Sequence, residues 1–104
     1  MTTDPTEFAQ MLRELQREFA SELGARIATL QEAIDRNDLD EARTLAHRLY
    51  GTAGSYGMTS VSTFAGELEQ AVLCASDQIP ARLYALQVAA TEAIANALDQ
   101  GPTS

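Results

Sequence analysis

Ala46-His47-Arg48-Leu49-Tyr50-Gly51-Thr52-Ala53-Gly54-Ser55-Tyr56-Gly57 holds the only histidine of a 104-residue chain, followed by glycines four, seven and ten positions later. The residues around it favour helix, and an internal glycine weakens a helix by roughly 1 kcal/mol relative to alanine. Two glycines inside one helix therefore ask for a reason beyond stability, and access to the imidazole supplies one. Gly57 stands where a left-handed helix C-cap belongs.

The neighbouring sequence is helical on both sides. Upstream, Asn37-Asp38-Leu39-Asp40-Glu41 carries a capping signature, Asp38 with Glu41, which opens the histidine helix and predicts that it runs to about Tyr56. Before it, Asp4-Pro5-Thr6-Glu7 combines an N-cap acid, proline at the first helical position and a glutamate at the third. Phe8, Leu12, Leu15, Phe19, Leu23, Ile27, Leu30 and Ile34 then recur at helical spacing. This is one long helix, or two joined near Ser21 to Gly24, and its length predicts a bend or a change of partner there. Phe8 and Leu12 are expected in the core, with Met11 exposed.

Downstream, a third helix is predicted from about Thr59, with Val61, Phe64, Ala65, Leu68, Val72 and Ala75 on one side. A fourth begins near Asp77 to Pro80, carries Leu83, Leu86, Ala90, Ile94 and Leu98, and stops at Gly101-Pro102. No segment alternates as a strand would. The expected fold is all-α, an antiparallel up-and-down four-helix bundle with a long or bent N-terminal helix. It forms a single domain of residues 1–104 with an ordered core of about 5–100.

Composition agrees and narrows the function. The chain has 18 alanines and no tryptophan, so its core must come from closely packed helices. A formal net charge of −8, with seven arginines and no lysine, argues against nucleic acid and anionic membranes as partners. The lone Cys74 cannot form an internal disulfide, and no secretory leader or long apolar run is evident, so a reduced, cytoplasmic setting is expected. No Walker-type loop, Cys/His cluster or second histidine suggests a nucleotide or metal site, and none is expected.

At about 100° per residue, Gly54, Asp40, Arg43 and Gly51 fall within about 40° of His47, whereas Leu45, Leu49, Ala42, Thr52 and Tyr56 lie beyond about 140°. The imidazole thus points away from the core of its own helix. It is either an ordinary surface histidine or one that must be reached by another protein. Gly51 and Gly54 would leave the helix bare on that face, although two glycines can also mark close packing between helices. Arg43 and Arg48 flank the ring; they either favour its neutral, nucleophilic form and pair with an anion placed on it, or balance nearby acids as solvated surface charge. Glu69, at the flank of the third helix's stripe, is either an exposed acid or one placed to hold a ring nitrogen in its N–H form.

These residues resemble the histidine-containing phosphotransfer (HPt) domain, whose characteristic helix reads Ala-His-x-Leu-Lys-Gly with small residues three and six beyond that glycine. Ala46, His47, Leu49, Gly51, Gly54 and Gly57 match in order and spacing, and Leu68-Glu69 resembles a Leu-Glu pair in the family's next helix. The departure is Tyr50, where the family usually has lysine. A phenol donates one hydrogen bond but brings no charge, and Arg43 and Arg48 are the candidates to supply it.

The resemblance implies that His47 accepts a phosphoryl group on its outer nitrogen from a receiver aspartate or a histidine kinase and passes it to a receiver. Glu69 would hold the inner nitrogen, with Arg43, Arg48 and Tyr50 in support. Gly51, Gly54, Asp40 and Met11 would form the docking surface beside His47. The domain would be a phosphoryl carrier in two-component signalling, a monomer with no ATP site and no cofactor; magnesium would come only with the receiver. The alternatives are a helical module that binds a receiver or kinase through the His47 face without being phosphorylated, and a self-associating adaptor.

Overall fold

The computed structural model describes residues 4–99. Four helices follow one another: α1 (Pro5–Asp35), α2 (Leu39–Ser55), α3 (Thr59–Leu73) and α4 (Ile79–Asp99). Each packs on its neighbour in sequence, and α4 closes the ring against α1. Links of only three, three and five residues reverse the chain each time, so the bundle is up-and-down and antiparallel. The stop expected at Gly101-Pro102 lies outside the described residues.

The helix starts follow the expected chemistry. Asp4 accepts a hydrogen bond from the Thr6 amide at 2.9 Å, with Pro5 opening the helix, and Asp38 accepts one from the Glu41 amide at 3.2 Å. The first three helices all end in the same way. At the end of α2, Gly57 has φ +75°, its amide bonds to the Gly54 carbonyl at 3.1 Å, and the Met58 amide reaches back to Ala53 at 2.9 Å. This is a Schellman closure. Asn37 (φ 58°) does the same after α1, and Ala75 (φ 47°) after α3. Ala75 therefore does not belong to the apolar stripe of α3: it is exposed and lies beyond the helix end, in a left-handed turn.

The core is apolar throughout, with no buried polar or charged residue among those described. Phe19, Leu23, Ile27 and Leu30 of α1 meet Ala42, Ala46, Leu49 and Ala53 of α2, Val61, Ala65, Leu68 and Val72 of α3, and Leu83, Leu86 and Ala90 of α4. Polar ties bridge neighbouring helices at the rim. Gln16 donates to the Tyr56 carbonyl, Gln87 to Gln31 at 3.0 Å, and Arg82 pairs with Glu67 at 3.0 Å.

The long first helix is unbroken through Ser21–Gly24 and its buried stripe, Phe19, Ala20, Leu23 and Ile27, runs across that stretch; the change in surroundings comes earlier, before Phe19. At about 1.5 Å per residue, 31 residues span about 46 Å, which accounts for the 48 Å long axis of the molecule. α2 and α4 have only 17 and 21 residues and run out before the start of α1. Phe8 is consequently 59% exposed and Met11 53%, Leu15 is also exposed, and Leu12 is only half-buried. The expectation that Phe8 and Leu12 sit in the core is corrected: the periodicity is there, but among the described residues no helix runs far enough to cover Phe8, and Leu12 is covered only in part. Leu98, at the far end of α4, is exposed as well.

The left-handed turn at Ala75 is a removable strain, since that conformation costs a residue with a Cβ roughly 1–2 kcal/mol and glycine adopts it freely. Ala75→Gly is expected to raise stability by about 1 kcal/mol, a gain of about 5 °C in thermal midpoint for a domain of this size. Circular dichroism melts would check this, and an unchanged or lower midpoint would contradict the strain.

Candidate functional site

α2 buries a narrow face. Ala42, Ala46 and Ala53 are fully buried and Leu49 nearly so, at spacings of four, three and four residues. His47, adjacent to Ala46, is left on the outer side with 65% of its side chain exposed. The helix geometry thus places the imidazole in solvent, as its angular position predicts.

Glu69 of α3 comes to meet it. His47 Nδ1 lies 3.0 Å from one Glu69 carboxylate oxygen and 3.1 Å from the other, and the glutamate side chain is only 14% exposed. An ionised carboxylate can only accept hydrogen bonds, so Nδ1 must be the nitrogen that carries the proton. In the neutral ring this leaves the lone pair on Nε2, which has no hydrogen-bond partner among the described residues. Of the two readings of Glu69, the carboxylate that orients the ring is the one the structure contains.

The His47–Glu69 pair is the first rung of a ladder along the α2–α3 seam. One turn further along α2, the Tyr50 ring lies over Gly66: a Cβ on Gly66 would stand 3.1 and 3.3 Å from two ring carbons. The Tyr50 ring centroid is 6.4 Å from that of His47, and Tyr50 remains 47% exposed. At the third rung, Gly54 faces Ser62, whose hydroxyl donates to the Tyr50 carbonyl at 2.8 Å. Ser62 and Gly66 are site residues that the histidine motif alone does not reveal. The available signal was a third helix with its own internal glycine, and with Ser62, Gly66 and Glu69 on one face at spacings of four and three.

This ladder divides the two glycines of α2. A Cβ on Gly51 would meet nothing within 4 Å, so Gly51 alone leaves open surface. A Cβ on Gly54 would come within 3.2 Å of the Ser62 hydroxyl. Gly54 is exposed, yet it also permits the close approach of α3, so the two explanations offered for the glycines both apply at that position. Gly57 is the helix cap.

The remaining site residues are spread around the ring. Arg43, one turn before His47, and Arg48 make no side-chain hydrogen bond or ion pair among the described residues, whereas Arg26 and Arg82 pair with Glu22 and Glu67. Arg48 faces α1, where it lines a groove of about 150 Å³ with Arg26, Thr29, Leu45 and Leu49. Asp40 is exposed in the first turn of α2. Met11 is not beside His47: with Gln16 level with Tyr56, helix rise sets Met11 about 20 Å from the histidine along the bundle axis. Only a partner as broad as a small domain could touch both. No three His, Cys, Asp or Glu side chains converge among the described residues, and none of their helices is long and apolar enough to cross a membrane.

Comparison with known proteins places this arrangement. The family model described as Hpt domain matches residues 14–101. The chain is also 38% identical over 79 residues to the sensor histidine kinase AruS of Pseudomonas aeruginosa, an alignment that covers 72% of this chain and 8% of that protein. No solved structure matches.

Two expectations follow from the geometry. Nitrogen NMR of wild-type protein at neutral pH should find the His47 proton on Nδ1, and Glu69→Ala should shift the ring toward the tautomer mixture of a free imidazole. A mixture already present in the wild type would contradict the orienting role. The glycines should separate by stability: Gly51→Ala gains up to about 1 kcal/mol from helix propensity. Gly54→Ala gains nothing net, because the Ser62 hydroxyl must give up a bond worth about 1 kcal/mol. Equal gains in denaturant titrations would refute the close approach.

Proposed function

Because the chain belongs to the Hpt domain family, whose members carry phosphoryl groups in phosphorelays, we propose that it is a phosphorelay intermediate with His47 as its phosphoacceptor. The observation that carries this reading is the His47–Glu69 pair, with its solvent-facing imidazole and free Nε2. In the proposed transfer, the Nε2 lone pair attacks the phosphorus of a receiver's aspartyl phosphate. The Nε2–P bond forms as the P–O bond to the aspartate breaks, and the carboxylate leaves with the electron pair. The ring then carries positive charge with its proton still on Nδ1, and Glu69 opposes that charge across 3.0 Å. The reverse sequence passes the group to a second receiver, and a histidine kinase is the other candidate donor.

Such a reaction depends on position and charge more than on covalent machinery. Gly51 leaves the helix bare beside the imidazole, so a receiver's active-site rim can approach the backbone closely. Arg43, one turn before His47, and Arg48 are in this reading the candidate cations to answer the phosphoryl oxygens or the receiver's acids. In this reading the domain needs neither nucleotide nor metal of its own. Magnesium arrives with the receiver, and the setting is the cytoplasm, where receivers and kinase catalytic domains act.

The test is incubation with a panel of phosphorylated receivers and kinases. Wild-type protein is expected to take up label that is acid-labile and alkali-stable, and His47→Gln to take up none. If the wild type binds a receiver without ever acquiring such label, the domain is an interaction module and the phosphotransfer reading is wrong.

A further inference from the structure

Tyr50 stands where lysine is usual, and the structure gives that exchange a consistent surrounding. Its backbone carbonyl is held by the Ser62 hydroxyl at 2.8 Å, and its ring rests on the bare backbone of Gly66. No residue with a Cβ at position 66 would leave the ring where it is. α3 thus touches this residue at its backbone carbonyl and along one face of its ring, while nearly half of it faces solvent. Its hydroxyl makes no hydrogen bond among the described residues, and its ring centroid lies 6.4 Å from that of His47.

A protein that reaches His47 Nε2 comes close to this ring, 6.4 Å away between centroids, and meets open surface at Gly51 beside it. A lysine there would offer a mobile point charge, costly to order and sensitive to salt. Tyr50 offers instead a flat apolar surface and one donor, already ordered before the partner arrives. Once covered, the phenol needs an acceptor across the interface, or its desolvation works against binding.

We propose that Tyr50, seated on Gly66, is a rigid aromatic anchor for the receiver that exchanges phosphoryl groups with His47, selecting receivers that present an apolar contact with a hydrogen-bond acceptor at that point. This rests on the phosphotransfer reading and names the chemistry of its partner. The anchor acts at the protein interface and not on the imidazole, which remains oriented by Glu69. Gly66 belongs to the same device, since it sets where the ring lies.

The experiment compares two phosphoryl donors for the full chain: receivers that label the wild type, and phosphoramidate, a small donor that needs no protein interface. For Tyr50→Ala, the ratio of receiver-driven to phosphoramidate-driven labelling is expected to fall about tenfold or more, through KM. Tyr50→Phe, which keeps the ring, should lose a smaller part. Tyr50→Lys should make the receiver KM rise more steeply with salt than in the wild type. Gly66→Ala should lower the ratio although the phenol is still present, and the Tyr50→Ala, Gly66→Ala double variant should be no worse than Tyr50→Ala alone. Thermal melts establish that each variant is folded, and the Tyr50 series carries the test if Gly66→Ala is not. A Tyr50→Ala ratio within twofold of wild type for every receiver would overturn the anchor, as would an equal loss with both donors. Failure of both donors to label wild-type His47 would overturn the phosphotransfer reading itself, a different result from any of these.

Discussion

The distance between α2 and α3 governs everything else in this molecule. Helix axes approach as closely as the side chains between them allow, and the buried face of α2 is three alanines and one leucine: Ala42, Ala46, Leu49 and Ala53. With one carbon on most of that face, the α2 backbone can lie close to its neighbours, and a glutamate on α3 reaches the imidazole on α2. A wider spacing would leave Glu69 out of hydrogen-bonding range of Nδ1 and deprive His47 of its defined tautomer. At the surface edge of the same seam, Gly54 and Gly66 continue the pattern: each removes a side chain where the opposite helix supplies one. The alanine-rich composition is therefore not a neutral helical filler but the condition for the site.

Much of this was readable from the residues, for a physical reason. Helical periodicity and capping chemistry are local, so the four helices, the start of α2 at Asp38 and the left-handed Gly57 followed from short stretches. The outward direction of His47 followed from angular position alone. The misses all depend on a second element. The stripe from Phe8 to Leu15 is as periodic as the rest of α1, but periodicity reports that a face could be buried, not that a partner helix is long enough to bury it. Ala75 continued the apolar spacing of α3 past the residue at which the chain turns. Ser62 and Gly66 acquire meaning only when the antiparallel register sets them opposite Gly54 and Tyr50. Likewise, whether a glycine clears open surface or a helix crossing depends on the neighbour, which separated Gly51 from Gly54.

The charge distribution gains sense in the same way. A net charge of −8 describes the whole surface and not any one face of it. Locally the reaction face is mixed: Arg43 lies one turn before His47 with no ion-pair partner among the described residues, Asp40 shares that face, Glu69 is committed to the ring, and Arg48 turns toward α1.

The design also explains how so small a domain tolerates a helix weakened at its functional face. Gly51 and Gly54 each cost α2 roughly 1 kcal/mol, a substantial part of the 5–15 kcal/mol typical of a domain's stability. The loss at Gly51 falls on open surface and that at Gly54 is offset by the close approach of α3, while Ala42, Ala46, Leu49 and Ala53 bury the inner side of the helix. The end of the helix is closed by Gly57 and by the Gln16 side chain from α1. Stability thus resides on one face of α2 and access on the other. Such a separation suits a carrier that must offer its nucleophile on an open surface while its partner supplies the enclosing pocket: an enzyme with a cleft of its own would have to weaken its core to make room, whereas this helix gives up only its outer side.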